Sequence, residues 1–128
     1  MKEDFNILIA DRNPHVREFL KREMTAEGYK VKLAKNVKEV LQSVFHYENL
    51  SLLILDLNLP DSGGTDILEK IQDRIPTLPV VIHSFFSEHS DYDEALSTGT
   101  VFFVEKEGNS VERLKHIVFT ILNKKENL

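Results

Sequence analysis

Phe5-Asn6-Ile7-Leu8-Ile9-Ala10 is a near-continuous apolar run that stops at Asp11. Runs of this kind, without the polar alternation of a half-exposed strand, belong to strands covered on both faces. Asn13-Pro14 follows directly and supplies a capping side chain ahead of a proline at the first helical position. Val16, Phe19, Leu20 and Met24 then recur at helical spacing until Gly28. The pattern predicts a strand and then a helix. Tyr29 to Leu33 reads as a short second strand. Asn36, with Glu39 three residues on, reads as a capping box opening a helix whose face is Val37, Val40, Leu41, Val44 and Phe45.

The same unit recurs along the chain. Leu50 to Leu55 is a second buried run ending at Asp56, and Pro60-Asp61-Ser62-Gly63-Gly64 makes a loop before a helix carrying Ile67, Leu68 and Ile71. Pro79-Val80-Val81-Ile82 continues to His83-Ser84, a weaker helix is expected within Glu88–Thr98, and Val101-Phe102-Phe103-Val104 runs into Glu105-Lys106. Asn109 or Ser110 caps a last helix with the stripe Val111, Leu114, Ile117, Val118, Ile121 and Leu122. Five strands alternating with five helices predict an α/β, doubly wound parallel sheet, because parallel strands need crossovers of this length.

Composition narrows the functions available. At 128 residues the chain has the length of one domain, and 41% hydrophobic residues are enough for a packed core. A formal charge of -5 disfavours nucleic acid as a partner, and the absence of cysteine excludes disulfides, thiolate nucleophiles and cysteine-based metal sites. The acidic flank Met1-Lys2-Glu3-Asp4 and the shortness of the first apolar run predict neither a signal peptide nor a membrane span, so a cytoplasmic location is expected. His15, His46, His83, His89 and His116 show no paired spacing for a metal site. Alternation along its strand turns His83 away from the strand-end pocket, as a packed residue.

In a doubly wound sheet, ligands sit beyond the carboxyl ends of the strands. The residues that follow the apolar runs there are Asp11-Arg12, Asp56, Ser84 and Lys106. Any one of them has an ordinary explanation: loops favour Asp, a serine can satisfy backbone, and a lysine can reach to water. Together they form a charge-complementary cluster on one rim, and charged groups near a core are seldom left unpaired.

These residues resemble the receiver domain of two-component response regulators over the whole chain, 1–128. The likeness is carried by Ile7-Leu8-Ile9-Ala10-Asp11, by Asp56-Leu57-Asn58-Leu59-Pro60 with Gly63-Gly64, by Pro79 through Ser84, and by Gly99 through Phe103 to Lys106. The resemblance implies the flavodoxin-like strand order 2-1-3-4-5 and a phosphoacceptor at Asp56. It also implies that the Ser84 hydroxyl contacts the phosphoryl group, that Lys106 is its ion-pair partner, and that Ser84 and Phe103 are the switch pair. Asp11, Asp56 and the carbonyl of Asn58 would be the magnesium ligands. The implied partners are a histidine kinase or phosphotransfer protein, with the first helix nearer the kinase. A downstream protein would meet the face made by the helix expected in Glu88–Thr98, the fifth strand and the last helix. Phe102, Glu105 and Lys115 are expected to be exposed there. The chemistry needs such residues: a carboxylate attacking phosphorus meets charge spread over the phosphoryl oxygens, so cations and donors must already be in place. Apart from that self-catalysed transfer, no enzyme activity is expected.

Arg12 departs from the family, which usually has a second acidic residue there. Two acids and two bases now make the pocket formally neutral. Two cations about 4 Å apart at an effective dielectric near 20 repel by roughly 4 kcal/mol, so magnesium binding is expected to be weakened or lost. Two consequences stay open. Arg12 can stand in for the ion, leaving phosphorylation slowed but less dependent on metal, which is the favoured reading. Alternatively it can pair with Asp56 or Asp11 and leave a pseudo-receiver, an interaction module indifferent to phosphate. Phe85 stands where a small residue is usual, which narrows the approach to Asp56, and Phe85-Phe86 are expected to be packed or partner-facing. Glu107 replaces the proline that usually follows the lysine. A phosphohydrolase with an aspartyl nucleophile would want a second acid where Asn58 stands. A flavin or nucleotide enzyme would want a glycine-rich loop where Asp11-Arg12-Asn13-Pro14 stands.

Overall fold

The structure is a computed structural model and describes residues 4–46, 49–61, 67–85 and 100–126. Its elements in chain order are β1 (Asn6–Ala10), α1 (Pro14–Ala26), β2 (Lys30–Ala34), α2 (Val37–His46), β3 (Leu50–Leu55), α3 (Ile67–Arg74), β4 (Val80–Ser84), β5 (Val101–Glu105) and a C-terminal helix (Ser110–Glu126). The helix expected within Glu88–Thr98 lies outside the described residues. No helix among the described residues is long and apolar enough to cross a membrane.

The strands pair in parallel in the order β2-β1-β3-β4-β5. This is the doubly wound arrangement expected from the sequence. Alternation along each strand sorts the core into two layers. Leu8, Leu53, Leu55, Val80 and Ile82 pack on one face against Val40 and Val44 of α2 and Leu68 and Ile71 of α3. Ile7, Ile9, Leu52, Ile54 and Val81 pack on the other face against Leu20 and Met24 of α1 and Leu114, Val118 and Leu122 of the C-terminal helix. The central strands are covered on both sides, which is why they read as unbroken apolar runs. The edge strand β2 instead exposes Lys30 and Lys32, charges that discourage pairing with another chain.

Helix starts follow their local signals. Asn13 caps α1, its side-chain oxygen accepting from the N–H of His15 at 2.8 Å and of Val16 at 3.4 Å. At α2 the Asn36 side chain accepts from the Glu39 N–H at 2.9 Å, but the Glu39 carboxylate returns to the N–H of Lys35, one residue before the expected partner. The cap is completed from a distance: Asp61 accepts from the N–H of Val37 at 2.6 Å and of Lys38 at 3.1 Å.

Three expectations are corrected. β2 begins at Lys30 rather than Tyr29, because the Tyr29 N–H closes the end of α1 on the Met24 carbonyl and the Tyr29 ring is buried. Gly28, at φ 102°, makes that reversal possible. Phe19 and Phe45, assigned to apolar faces, are 40% and 45% exposed at the margins of those faces, with the guanidinium groups of Arg22 and Arg74 over their rings. Phe102, Glu105 and Lys115 are half-buried rather than exposed. Phe102 packs on the sheet, and the Lys115 ammonium is drawn 2.7 Å from Glu23 of α1.

Candidate functional site

Strand register builds the site. Ala10 of β1 lies opposite Leu55 of β3, so the next residues, Asp11 and Asp56, leave neighbouring strands side by side. The backbone holds them there: the Asp56 N–H donates to the Ala10 carbonyl at 2.9 Å and the Asp11 N–H to Ala34 at 3.2 Å. Across β3 and β4, Ser84 projects its hydroxyl to accept the Leu57 N–H at 3.0 Å. β5 continues beside β4, and the Lys106 N–H donates to the Ser84 carbonyl at 2.9 Å. Four strand ends thereby converge, as the sequence predicts for a sheet of this topology.

Asp11 and Asp56 are buried, and Lys106 bridges them. Its ammonium is 2.9 Å from Asp11 Oδ2 and 3.5 Å from Asp56 Oδ2, with the lysine side chain only 10% exposed. Burial raises the Asp11 pKa above its ordinary value, and the neighbouring Asp56 charge pushes the same way. The hydrogen bonds from Lys106 and from the Asn13 N–H oppose that rise.

Arg12 turns inward. Its N–H donates to Asp56 Oδ2 at 3.0 Å, and its Nε lies 3.6 Å from the same oxygen. The other Asp56 oxygen accepts the Asn58 N–H at 3.1 Å. The Asp56 carboxylate is fully shielded from solvent, yet what meets its oxygens is polar: two cations and two backbone donors. Asn58 comes to Asp56 through that N–H, and its side chain is exposed. Phe103 is partly buried against the layer of α2 and α3, and Phe85 is 48% exposed with the Lys106 ammonium 5.9 Å from its ring centre. Phe86, Gly63, Gly64 and Gly99 lie outside the described residues. His83 is buried, as expected from alternation.

Sequence reasoning missed two positions that hold these loops. Arg17 donates from Nη1 to the Asp11 carbonyl at 2.7 Å, and Arg113 donates to the carbonyls of Glu105 and Glu107. Both are guanidinium groups reaching back one or two turns, a contact with no pattern of residue types to reveal it.

The carboxylates that would hold a magnesium ion are already engaged within the protein. All four carboxylate oxygens of Asp11 and Asp56 already meet N–H donors or cations. Among the described residues no group of three acidic, histidine or cysteine side chains could share a metal.

The sequence matches the response regulator receiver domain family over residues 7–119. The chain belongs to that family. Response regulator protein PilR of Pseudomonas aeruginosa is 31% identical over 115 residues, covering 90% of this receiver and 25% of PilR. The DNA-binding transcriptional regulator NtrC of Proteus hauseri is 32% identical over 92 residues, covering 72% of this receiver and 19% of NtrC. The receiver thus spans a quarter or less of those two relatives. Among solved structures, a receiver domain protein from Clostridium thermocellum superposes with a TM-score of 0.83 at 21% identity, over 95% of this chain and 97% of that one, a likeness of fold. The response regulator TrrA of Thermotoga maritima, solved in complex with Mg2+ and BeF, gives a TM-score of 0.74 at 27% identity, over 91% and 98%. Membership places this receiver in two-component phosphorelay signalling, the common role of its family.

Proposed function

We propose that this receiver accepts a phosphoryl group on Asp56 from a histidine kinase or phosphotransfer protein and changes its affinity for a protein partner. The carrying observation is that Asp56 Oδ2 lies within reach of two cations, Lys106 at 3.5 Å and Arg12 at 3.6 Å. Phosphorylation takes the Asp56 side chain from about -1 to about -2. Arg12 and Lys106 are the charges available to balance it, and a guanidinium offers planar donors suited to phosphoryl oxygens. In the transfer, an Asp56 oxygen bonds to phosphorus as the bond from phosphorus to the donor's nitrogen breaks. The donor imidazole leaves with that electron pair. The Ser84 hydroxyl, now accepting from the Leu57 N–H, is placed to turn toward the new group, and Phe103 is the aromatic that follows it.

In this proposal Arg12 stands where a divalent cation would otherwise sit, so phosphorylation is slowed and needs little magnesium. No enzyme activity beyond that self-catalysed transfer and its hydrolysis is assigned. A second reading draws on the full shielding of the Asp56 carboxylate. On that reading Arg12 keeps the acid permanently neutralised, and the chain binds partners irrespective of phosphate.

Incubation with acetyl phosphate in EDTA and in magnesium, followed by intact-mass measurement, separates the two. The proposal expects a single phosphoryl adduct on wild type in both buffers and none on Asp56→Asn. No adduct on wild type in either buffer overturns it in favour of the phosphate-independent module.

A further inference from the structure

Lys106 must deliver its ammonium to Asp11 and Asp56 from a loop with little stiffness of its own. Glu107 has no ring to restrain φ, and Gly108 sits at φ 55°, in the left-handed region that only a glycine adopts freely. The lysine adds a four-carbon stem whose rotamer freedom must be given up for the ion pairs to hold.

Restraint comes from the C-terminal helix. Arg113 lies in its first turn, its N–H bonded to the Asn109 carbonyl at 3.2 Å. From there Nη2 donates to the carbonyl of Glu105 at 2.9 Å and to that of Glu107 at 2.5 Å, the two residues flanking Lys106. The Glu105 carbonyl also accepts the Glu107 N–H at 2.9 Å, which closes the backbone tightly around Lys106. On the opposite side the Lys106 N–H is tied to Ser84. Both carbonyls meet the same nitrogen, Nη2, whose two N–H donors form a fixed planar fork, whereas the donors of an ammonium rotate freely.

We propose that Arg113 is a positioning residue for Lys106: its guanidinium clasps the carbonyls of Glu105 and Glu107 and so fixes the backbone from which the ammonium reaches Asp11 and Asp56. The functional consequence rests on the reading of Lys106 as partner of a phosphoryl group at Asp56, whereas the positioning itself does not.

The test uses the full chain as wild type, Arg113→Ala and Arg113→Lys, with nitrogen-15 NMR of the lysine ammonium groups. Lys106, held by two buried carboxylates, is expected to exchange its ammonium protons slowly in wild type. Lys115, which lies on the same helix as Arg113 and pairs with Glu23 of α1, serves as the internal control. In Arg113→Ala the Lys106 ammonium is expected to exchange at least about fivefold faster while Lys115 is unchanged, and adduct formation with acetyl phosphate slows about five- to tenfold. Arg113→Lys keeps the charge without the fork and recovers part of both effects. If Arg113→Ala fails to fold, Arg113→Lys is read in the same way, with Lys106 exchanging faster than in wild type and Lys115 unmoved. An unchanged Lys106 signal, or equal acceleration at Lys106 and Lys115, overturns the proposal, the latter because Arg113 would then merely stabilise the helix. If wild type forms no adduct, the reading of Asp56 fails while the NMR comparison still decides this one.

Discussion

Arg12 meets Asp56 twice at one atom: its backbone N–H and its guanidinium Nε lie 3.0 and 3.6 Å from Oδ2. The backbone contact comes from strand register and is open to any residue at position 12 but proline, which lacks the N–H. The guanidinium is a matter of residue type, and its charge occupies the space beside the acid.

Replacing that charge therefore has a defined consequence. Arg12→Asp restores a third carboxylate beside Asp11 and Asp56 and removes a cation that opposes any divalent ion. Magnesium affinity is expected to tighten by at least about tenfold, since charge reversal at this separation is worth several kcal/mol. Adduct formation by the variant in EDTA should fall well below that of wild type and return when magnesium is added. Titration showing wild type binding magnesium as tightly as Arg12→Asp would refute the role given to Arg12.

Lys106 is the hub of the buried charges, so its loss is expected to destabilise the fold. Lys106→Met leaves Asp11 and Asp56 facing each other, with Arg12 beside Asp56 and Arg17 at the Asp11 carbonyl as nearby cations. Removing one partner of a buried pair costs about 3–5 kcal/mol. Because Arg12 still screens Asp56, the expected loss is about 2–3 kcal/mol in urea unfolding. Adding Asp11→Asn to Lys106→Met removes one uncompensated carboxylate and should recover half or more of it. A double variant no more stable than the single one would show that the charge is not what was lost.

Asp61 ties the loop after Asp56 to the start of α2. Its two bonds to Val37 and Lys38 hold its carboxyl below the ordinary carboxylate range, the Val37 N–H contributing most. An acid lowered in the folded state stabilises the fold above its ordinary pKa, and that contribution disappears as pH falls through the lowered value. Asp61→Asn should melt at a lower temperature than wild type at pH 7, with faster amide exchange at Val37 and Lys38. The gap should shrink near pH 3. An equal gap at both pH values would argue against the carboxylate as the cap.

The same contacts show which parts of the fold the sequence discloses. Asn13-Pro14 and the apolar runs at Ile7–Ala10 and Leu52–Leu55 were legible because their causes are local: a cap, a ring and burial on both faces. Asp11, Asp56, Ser84 and Lys106 were legible as a group because a parallel sheet brings all its strand ends to one rim. Asp61 was hidden, since its partners lie 24 and 23 residues away and its surroundings look like any turn. Phe19 and Phe45 misled because periodicity marks a stripe without marking its edge, where Arg22 and Arg74 cover rings that the core does not.

His83 adds a second pH dependence to the fold, at higher pH than that of Asp61. It is 3% exposed, with Nε2 3.1 Å from the Ser110 hydroxyl and Nδ1 buried without a hydrogen-bond partner among the described residues. Burial, helped by the nearby Lys106 charge and opposed by Asp56, pushes its pKa down to about 4 from an ordinary 6.5. Between those values the unfolded chain binds a proton at this position that the folded chain does not, so stability rises with pH. The contribution is complete above about pH 6.5 and is lost progressively toward pH 4, on the order of 3 kcal/mol over the whole interval. Urea midpoints measured from pH 7 to pH 4.5 should therefore fall for wild type and fall less steeply for His83→Gln. The ring carbons of His83 should keep their neutral chemical shifts down to pH 5, and a ring that titrates near 6.5 would remove the basis for the difference.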